Sequence, residues 1–320
     1  MKKKCCFIIP YFGQLPQYFS VFLKTCEYNE DYNWIIFTDD SNKYILPKNV
    51  QIINISFQDL QLKIQKKFDF TISLDSPYKL CDYKPAYGYI FEEYLEEYRY
   101  WGHCDLDIIL GNINKFITDE MLEFYDKIFL LGHMMLYKNT YDNNRVFMQK
   151  YKGKELYKQA FSTSKIAVFD ETGINEENVN SLFINMKKNI FTKDLSMNIK
   201  VLPTKFVKTT FDFQQDKFVN EEYKKAIYIW KEGNLYRLYI ENGKLKREDF
   251  LYMHLQSRKM RIKNSKEKSD YIQIIPNYFI NMNKEIKISV DNFYKLRKKT
   301  LCLHYIELKL KRLKNKWRKR

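Results

Sequence analysis

Two carboxylates, Asp105 and Asp107, stand two residues apart at the end of an apolar run in WGHCDLDIILGN, residues 101–112. If the run is a strand, its side chains alternate between faces. His103, Asp105 and Asp107 then share one face, and Gly102, Cys104 and Leu106 take the other. Ile108, Ile109 and Leu110 continue the apolar run, and Gly111 can break it. Paired carboxylates at a strand end suit a hard cation, Mg²⁺ or Mn²⁺, whose remaining positions are filled by water and substrate phosphates. A bare acid-x-acid tripeptide, taken alone, is more often part of a solvated loop. The apolar strand before this one and the glycine after it favour the metal reading.

A carboxylate pair needs elements that hold it, and the surrounding sequence supplies them. Residues 6–12 (CFIIPYF), 34–40 (WIIFTDD) and 50–56 (VQIINIS) read as buried strands, alternating with helical patterns at 15–27 and 85–97. Pro85 suits the first turn of the second helix. Thr118 is placed to cap a short helix with Asp119 and Glu120 in its first turn. Residues 128–136, 166–169 and 200–203 read as further strands and 176–188 as a helix. Asn242-Gly243 marks a hairpin turn. This alternation predicts an α/β fold with a mostly parallel sheet flanked by helices. In such a sheet ligands bind beyond the carboxyl ends of the strands. Polar residues fall at those ends: Pro10 and Tyr11, then Thr38, Asp39 and Asp40, then Asp105 and Asp107. No G-x-x-x-x-G-K-[ST] or G-x-G-x-x-G loop is present.

The 320 residues are 45% hydrophobic and 17% aromatic, with only 9 glycines and 7 prolines, the composition of a folded chain without long flexible linkers. None of the six cysteines forms a C-x-x-C pair, and most lie in apolar surroundings, which predicts buried free thiols in a reducing compartment. No apolar run approaches a membrane span, and Pro10 interrupts the first one too early for a signal peptide core. The net charge of +16 is uneven. Between Lys295 and Arg320 twelve Lys and Arg stand against Glu307 alone. The basic character therefore belongs mostly to one element.

Taken in order, FIIPYFG, FTDD, CDYKPAYGYIF, WGHCDLDIILGN, LLGHMMLYKN, FDETG and YMHLQSRKM, spread over most of residues 4–262, resemble the GT-A superfamily of nucleotide-sugar glycosyltransferases. More narrowly they resemble a bacterial family found among capsule and surface-polysaccharide genes. The resemblance implies a Rossmann-like GT-A domain and a divalent metal. It implies a nucleotide-diphosphate sugar as donor, uridine-based in this reading. Asp107 would ligate the metal, and Asp105 would bind the metal or the ribose. Asp39 and Asp40 would face base and ribose. His254 would be the third metal ligand, with Lys259 on phosphate, as in a late segment of glycogenin-like transferases. The spacing from His254 to Lys259 is one residue shorter here, and that segment's Gly and Pro-Trp are absent. A histidine in a basic surface loop is the plainer alternative.

Lys84 precedes a predicted helix start, and both features attract phosphate. Asp82 would hold Lys84 or touch the donor sugar; a surface ion pair is the alternative. His103 is a second-layer partner of the metal or a buried polar residue. His133 and Asn139 would line the acceptor or sugar side. Asp170 or Glu171 would take the proton of the acceptor hydroxyl in an inverting transfer, or only orient the sugar, or cap a helix.

Leu303, Ile306, Leu310, Leu313 and Trp317 recur at helical spacing among lysines and arginines. This predicts an amphipathic helix on an anionic membrane surface, through residues 295–320, serving a lipid-linked glycan acceptor. Packing on the chain's own domain is the alternative, and no nucleic acid is expected. The expected organisation is a catalytic domain over 1–265, with a donor half at 1–112 and an acceptor half at 113–265. A helical basic extension over 266–320 would follow. The expected location is cytoplasmic, peripheral on the inner membrane face. Two rivals remain. A sugar-phosphate nucleotidyltransferase usually carries a Gly-rich basic loop after its first strand, which PYFGQLPQ lacks. A polyanion-binding protein would keep the acids as structural groups.

Overall fold

The computed structural model describes residues 2–171, 176–202, 204–256, 258–264, 269–298 and 310. Its centre is a seven-stranded mixed sheet. The strands of this half are β1 (Lys3–Pro10), β2 (Tyr32–Thr38), β3 (Val50–Asn54), β4 (Tyr98–Cys104), β5 (Ile108–Leu110), β6 (Lys127–Ile128), β7 (Met134–Lys138) and β8 (Ile190–Phe191). The sheet order is β3-β2-β1-β4-β7-β6-β8, and β5 lies outside it. The first four strands run parallel, while β7 is antiparallel to β4 and to β6. Parallel neighbours need crossovers, and the helices Phe19–Glu27 and Phe57–Gln65 belong to those connections. The α/β class is as expected.

Strand β1 shows why the first apolar run is continuous. Cys5, Phe7 and Ile9 face one hydrophobic core with the Phe19–Glu27 helix. Cys6 and Ile8 face another, with residues 80–95 and 146–183. A strand covered on both faces has no polar side to show. All five described cysteines are free thiols, and four of them are buried.

Several elements differ from the sequence reading. The helix expected over 85–97 is broken into the turns Lys84–Ala86, Tyr87–Ile90 and Glu92–Tyr94. Phe91 leaves helical geometry, at φ −113°, and stacks on Phe37 with ring centroids 4.6 Å apart. Packing overrides periodicity there. The single strand expected over 128–136 is two antiparallel strands, β6 and β7, joined by a loop that carries Gly132 and His133. Residues 166–169 and 200–202 form no strand. Asn242-Gly243 does turn a hairpin, between Asn234–Glu241 and Lys244–Phe250, with φ of 49° and 71°. Thr118 caps the helix Asp119–Phe124 by accepting from Met121 N–H.

The expected boundary at 265 is corrected. Strands Tyr271–Ile275 and Tyr278–Asn281 join a six-stranded sheet whose other members lie between Ala226 and Lys263. Residues 269–281 therefore complete the fold instead of extending it as a helix. Strand β5 pairs with Tyr252–His254, which in turn pairs with Met197–Asn198. The Trp230 indole N–H donates to the Leu110 carbonyl at 2.9 Å and joins the six-stranded sheet to β5. No helix among the described residues is long and apolar enough to cross a membrane. Of the predicted basic stripe, Leu303, Ile306, Leu313 and Trp317 lie outside the described residues, and Leu310 is exposed.

Candidate functional site

Strand β4 ends at Cys104, so Asp105 and Asp107 sit on the turn between β4 and β5. Leu106 between them is buried with Cys104 in one core, which turns both acids to the other side. The turn is fixed from both flanks. Asp105 N–H donates to the His133 carbonyl at 3.1 Å, and Leu255 N–H donates to the Asp107 carbonyl at 2.8 Å. Pairing of Tyr252–His254 with β5 then delivers the imidazole. His254 Nε2 lies 3.4 Å from Asp107 Oδ1, and Nδ1 lies 3.1 Å from Asn198 Oδ1. Asp105, Asp107 and His254 each offer a ligand atom within 4.8 Å of the others. Two carboxylates and an imidazole form a donor set suited to Mn²⁺ or Mg²⁺. Asn198 fixes the ring from behind, as ligating histidines require.

The electrostatics fit a site built around added charge. Burial opposes a charged imidazole at His254, but the Asp107 and Asp105 carboxylates outweigh it and hold His254 above its ordinary value. His133 stacks on His254, with ring centroids 4.3 Å apart, and its Nδ1 lies 2.7 Å from the Tyr252 hydroxyl. Burial, then the charge of His254, pushes His133 well below its ordinary value, so this ring stays neutral.

Lys84 reaches the same cluster. Its ammonium donates to Asp105 Oδ1 and to the Gly132 carbonyl, both at 2.8 Å, and lies 3.6 Å from Asp170 Oδ2. Burial disfavours the charge, but Asp105 and Asp170 more than offset it, and the lysine is held well above its usual range. Asp170 is only 4% exposed. Its burial pushes the carboxyl up to about 7, against the pull of Lys84 and with help from Glu171 and Asp105. Glu171 Oε2 accepts from Gly132 N–H at 3.0 Å. A Cβ on Gly132 would stand 2.4 Å from Asp170 Oδ2, so only glycine lets these segments meet. A second close trio, Cys81, Asp82 and Asp170, is a poorer metal site. Asp82 is already saturated with partners, and burial, then the neighbouring carboxylates, pushes the Cys81 thiol up to about 12.

Other predicted residues fall elsewhere. Asp82 is fully buried and pairs with Lys79, not Lys84, at 2.7 Å, so its expected contacts with Lys84 or the donor are corrected. Asn139 donates to the Leu95 and Tyr98 carbonyls and accepts from Asn144, which places it in a structural knot at the far end of β7. Thr38 is fully buried, and its hydroxyl accepts from Asp40 N–H. Asp40 accepts from Leu15 and Asn42 N–H groups, the Asn42 side chain and Tyr44. Those backbone donors hold it below the usual carboxylate range, and all its oxygens serve to tie loops together. Asp39 is exposed and accepts from Gly13 N–H at 2.7 Å. Pro10 ends β1 opposite Phe37, and Tyr11 follows half-buried, its phenol pushed up by burial and by Asp107. His103 is 1% exposed between the rings of Tyr87 and Tyr137 and is kept neutral by burial and by the charges of Lys84 and Lys127. Lys259 is exposed and forms no ion pair among the described residues. Its neighbour Arg258 is buried against Leu202 and Asn277.

Sequence reasoning missed Asn198, Tyr252, Gly132 and Lys79. LLGHMM and YMH carried a signal for Gly132 and Tyr252. Asn198 and Lys79 had none beyond their residue types.

Residues 7–283 match a family of unknown function, DUF6625. The chain belongs to that family. No curated protein matches the chain. Among solved structures, the galactosyltransferase LgtC in complex with donor and acceptor sugar analogs is similar over 61% of this chain and 75% of its own, at 10% identity and a TM-score of 0.35. The apo form of mouse xyloside xylosyltransferase 1 is similar over 63% of this chain and 89% of its own, at 8% identity and a TM-score of 0.35. Likenesses this slight leave the DUF6625 site to be read from its own chemistry.

Proposed function

We propose that this chain is a metal-dependent glycosyltransferase of GT-A type. It moves a sugar from a nucleotide-diphosphate donor, uridine-based in our reading, to a hydroxyl of a surface-polysaccharide glycan, with a lipid-linked repeat unit as the acceptor. One observation carries this. Segments distant in the chain place Asp105, Asp107 and His254 within 4.8 Å of one another, with the cation Lys84 bonded to Asp105.

A bound divalent ion would neutralise charge on the departing diphosphate. Asp105, Asp107 and His254 would hold it, and the imidazole gives up its proton to do so. Lys84, kept charged, lies beside the same position and adds a donor to phosphate or sugar oxygen. Asp170, poised near neutrality, accepts a proton from the attacking hydroxyl or anchors a hydroxyl of the donor sugar. Glu171 is tied to Gly132 N–H and helps fix the wall opposite Lys84. Both stereochemical outcomes are compatible with these roles. Asp39 and Tyr11, at the ends of β2 and β1, are the proposed base and ribose contacts, and Lys259 is a proposed phosphate contact. The basic residues of 295–320 are the proposed membrane contact.

The test is thermal stability against UDP, GDP, CDP and their sugar conjugates, with Mn²⁺ and with chelator. A ligand that binds only the folded state raises the midpoint. A metal-dependent rise with one nucleotide family supports the transferase and names the base. Folded protein that responds to none makes the acids structural.

A further inference from the structure

Val168 has a backbone φ of +56°. A β-branched residue seldom enters this left-handed region, because its Cβ crowds the following carbonyl. Packing does not hold it there, since Val168 is 42% exposed. The restraint comes from the backbone on either side. Ala167 N–H donates to Asp82 Oδ2 at 2.9 Å, and Phe169 N–H donates to Asp82 Oδ1 at 3.0 Å. One buried carboxylate thus grips both flanking amides and leaves Val168 to bulge outward.

The gripping carboxylate is itself anchored. Lys79 is 1% exposed, and its ammonium donates to Asp82 Oδ2 at 2.7 Å, to the Ala160 carbonyl at 2.8 Å and to the Lys165 carbonyl at 2.6 Å. All three donors of the ammonium are matched. Asp82 is fully buried, so it has no surface to offer a substrate. Two residues after Val168, the Asp170 carboxyl lies 3.6 Å from Lys84 and against Gly132, where there is no room even for a methyl group. A change in φ at residue 168 would swing Asp170 out of that slot.

We propose that the buried Lys79–Asp82 pair is a positioning clamp, which forces Val168 into a left-handed turn and so sets the Asp170 carboxyl against Lys84 and Gly132. The functional consequence rests on the reading of Asp170 given above. Glycine at 168 would adopt the turn unaided. With valine, the turn depends on the clamp. This is backbone strain kept next to a reactive group, where strained residues tend to gather.

Rescue tests the clamp. Asp82→Asn keeps the shape but weakens the grip. Amide hydrogen exchange at Ala167 and Phe169 should then speed up at least 100-fold. Release of UDP from UDP-glucose, UDP-galactose or UDP-N-acetylglucosamine with Mn²⁺ should fall about 100-fold in kcat, with donor KM within threefold. Adding Val168→Gly to Asp82→Asn should recover about 10-fold in kcat, while Val168→Gly alone stays near wild type. A double variant no faster than Asp82→Asn overturns the proposal, as does unchanged exchange in Asp82→Asn. If Asp82→Asn does not fold, Lys79→Met with Asp82→Leu removes both charges together, a swap that buried ion pairs often tolerate. The same exchange, turnover and rescue apply to it. Wild-type protein that neither binds nor turns over any of these donors defeats the uridine reading of the donor. The exchange measurement then still decides the clamp.

Discussion

Two clusters of charge sit in this molecule, and they are built to opposite standards. In the six-stranded sheet Arg237 is 2% exposed and forks onto Glu221 and Glu248 with bonds of 2.5 to 2.7 Å. Lys208 closes the group on Glu248 at 3.0 Å. The planar guanidinium meets carboxylates at short range, and burial of Glu248 is overcome so that it stays ionised below its ordinary value. At the end of β4 Lys84 and Asp105 are well matched at 2.8 Å, but the other charges are not. His254 and Asp107 are 3.4 Å apart, Lys84 and Asp170 are 3.6 Å apart, and Asp170 is driven toward holding a proton. The first cluster is complete in itself. The second is short of positive charge, a shortfall of the kind a divalent cation offsets.

The contrast can be broken most forcefully at Arg237. Arg237→Met leaves Glu221 without its cation and Glu248 with Lys208 alone, and should cost about 3 kcal/mol of stability. Urea unfolding measures this, while the folded fraction keeps its metal-dependent response to nucleotide. Asp107→Asn should do the reverse. It abolishes the Mn²⁺-dependent thermal shift and lowers donor turnover roughly 100-fold or more. Its stability in chelator should change by only about 1 kcal/mol. A large loss of stability with turnover intact would put Asp107 in the same class as Arg237.

Asp170→Asn sharpens the comparison through pH. The unfolded carboxyl ionises near 3.8 and the folded one near 7. Between those values the folded state keeps a proton that the unfolded state has released, so stability falls as pH rises through the window. The full cost is present above about pH 7 and absent below pH 4. Asp170→Asn should therefore be more stable than wild type by about 4 kcal/mol at pH 8 and equal to it near pH 4, even as turnover drops. A difference independent of pH would remove the strained carboxyl from the account. The smallest effect gives the baseline. Gly243→Ala, at φ 71° in a hairpin remote from both clusters, should cost about 1 kcal/mol and leave turnover unchanged.

Much of this was legible in residue order. Asp-x-Asp after an apolar run, a late histidine and a lysine before a turn all converge on one place. The Thr118 cap and the Asn242-Gly243 hairpin were legible as well, because local chemistry decides both. What failed to read was set by contacts between distant segments. Asp82 was assigned to Lys84, its neighbour but one, whereas the turn places Lys79, three residues back, on its side and buries the pair. Residues 128–136 read as one strand because most are apolar, and the meeting with Glu171 and Lys84 explains the break at Gly132. Asn198 has no local signature. Its role exists only because Met197–Asn198 lies alongside Tyr252–His254.

That last pairing has a consequence for the protein's birth. Among the described residues the one strand paired with β5 is Tyr252–His254, and Trp230 closes over Leu110. While the chain is still being made, the aspartates leave the ribosome long before the histidine that completes their group. Until then the nascent turn is a pair of carboxylates with an unpaired strand edge beside it, open to chaperones and to wrong partners. A transcript broken upstream of Tyr252 would yield a polypeptide with the acids in place and no means of assembling the centre. The group is completed only once the chain has been translated past His254.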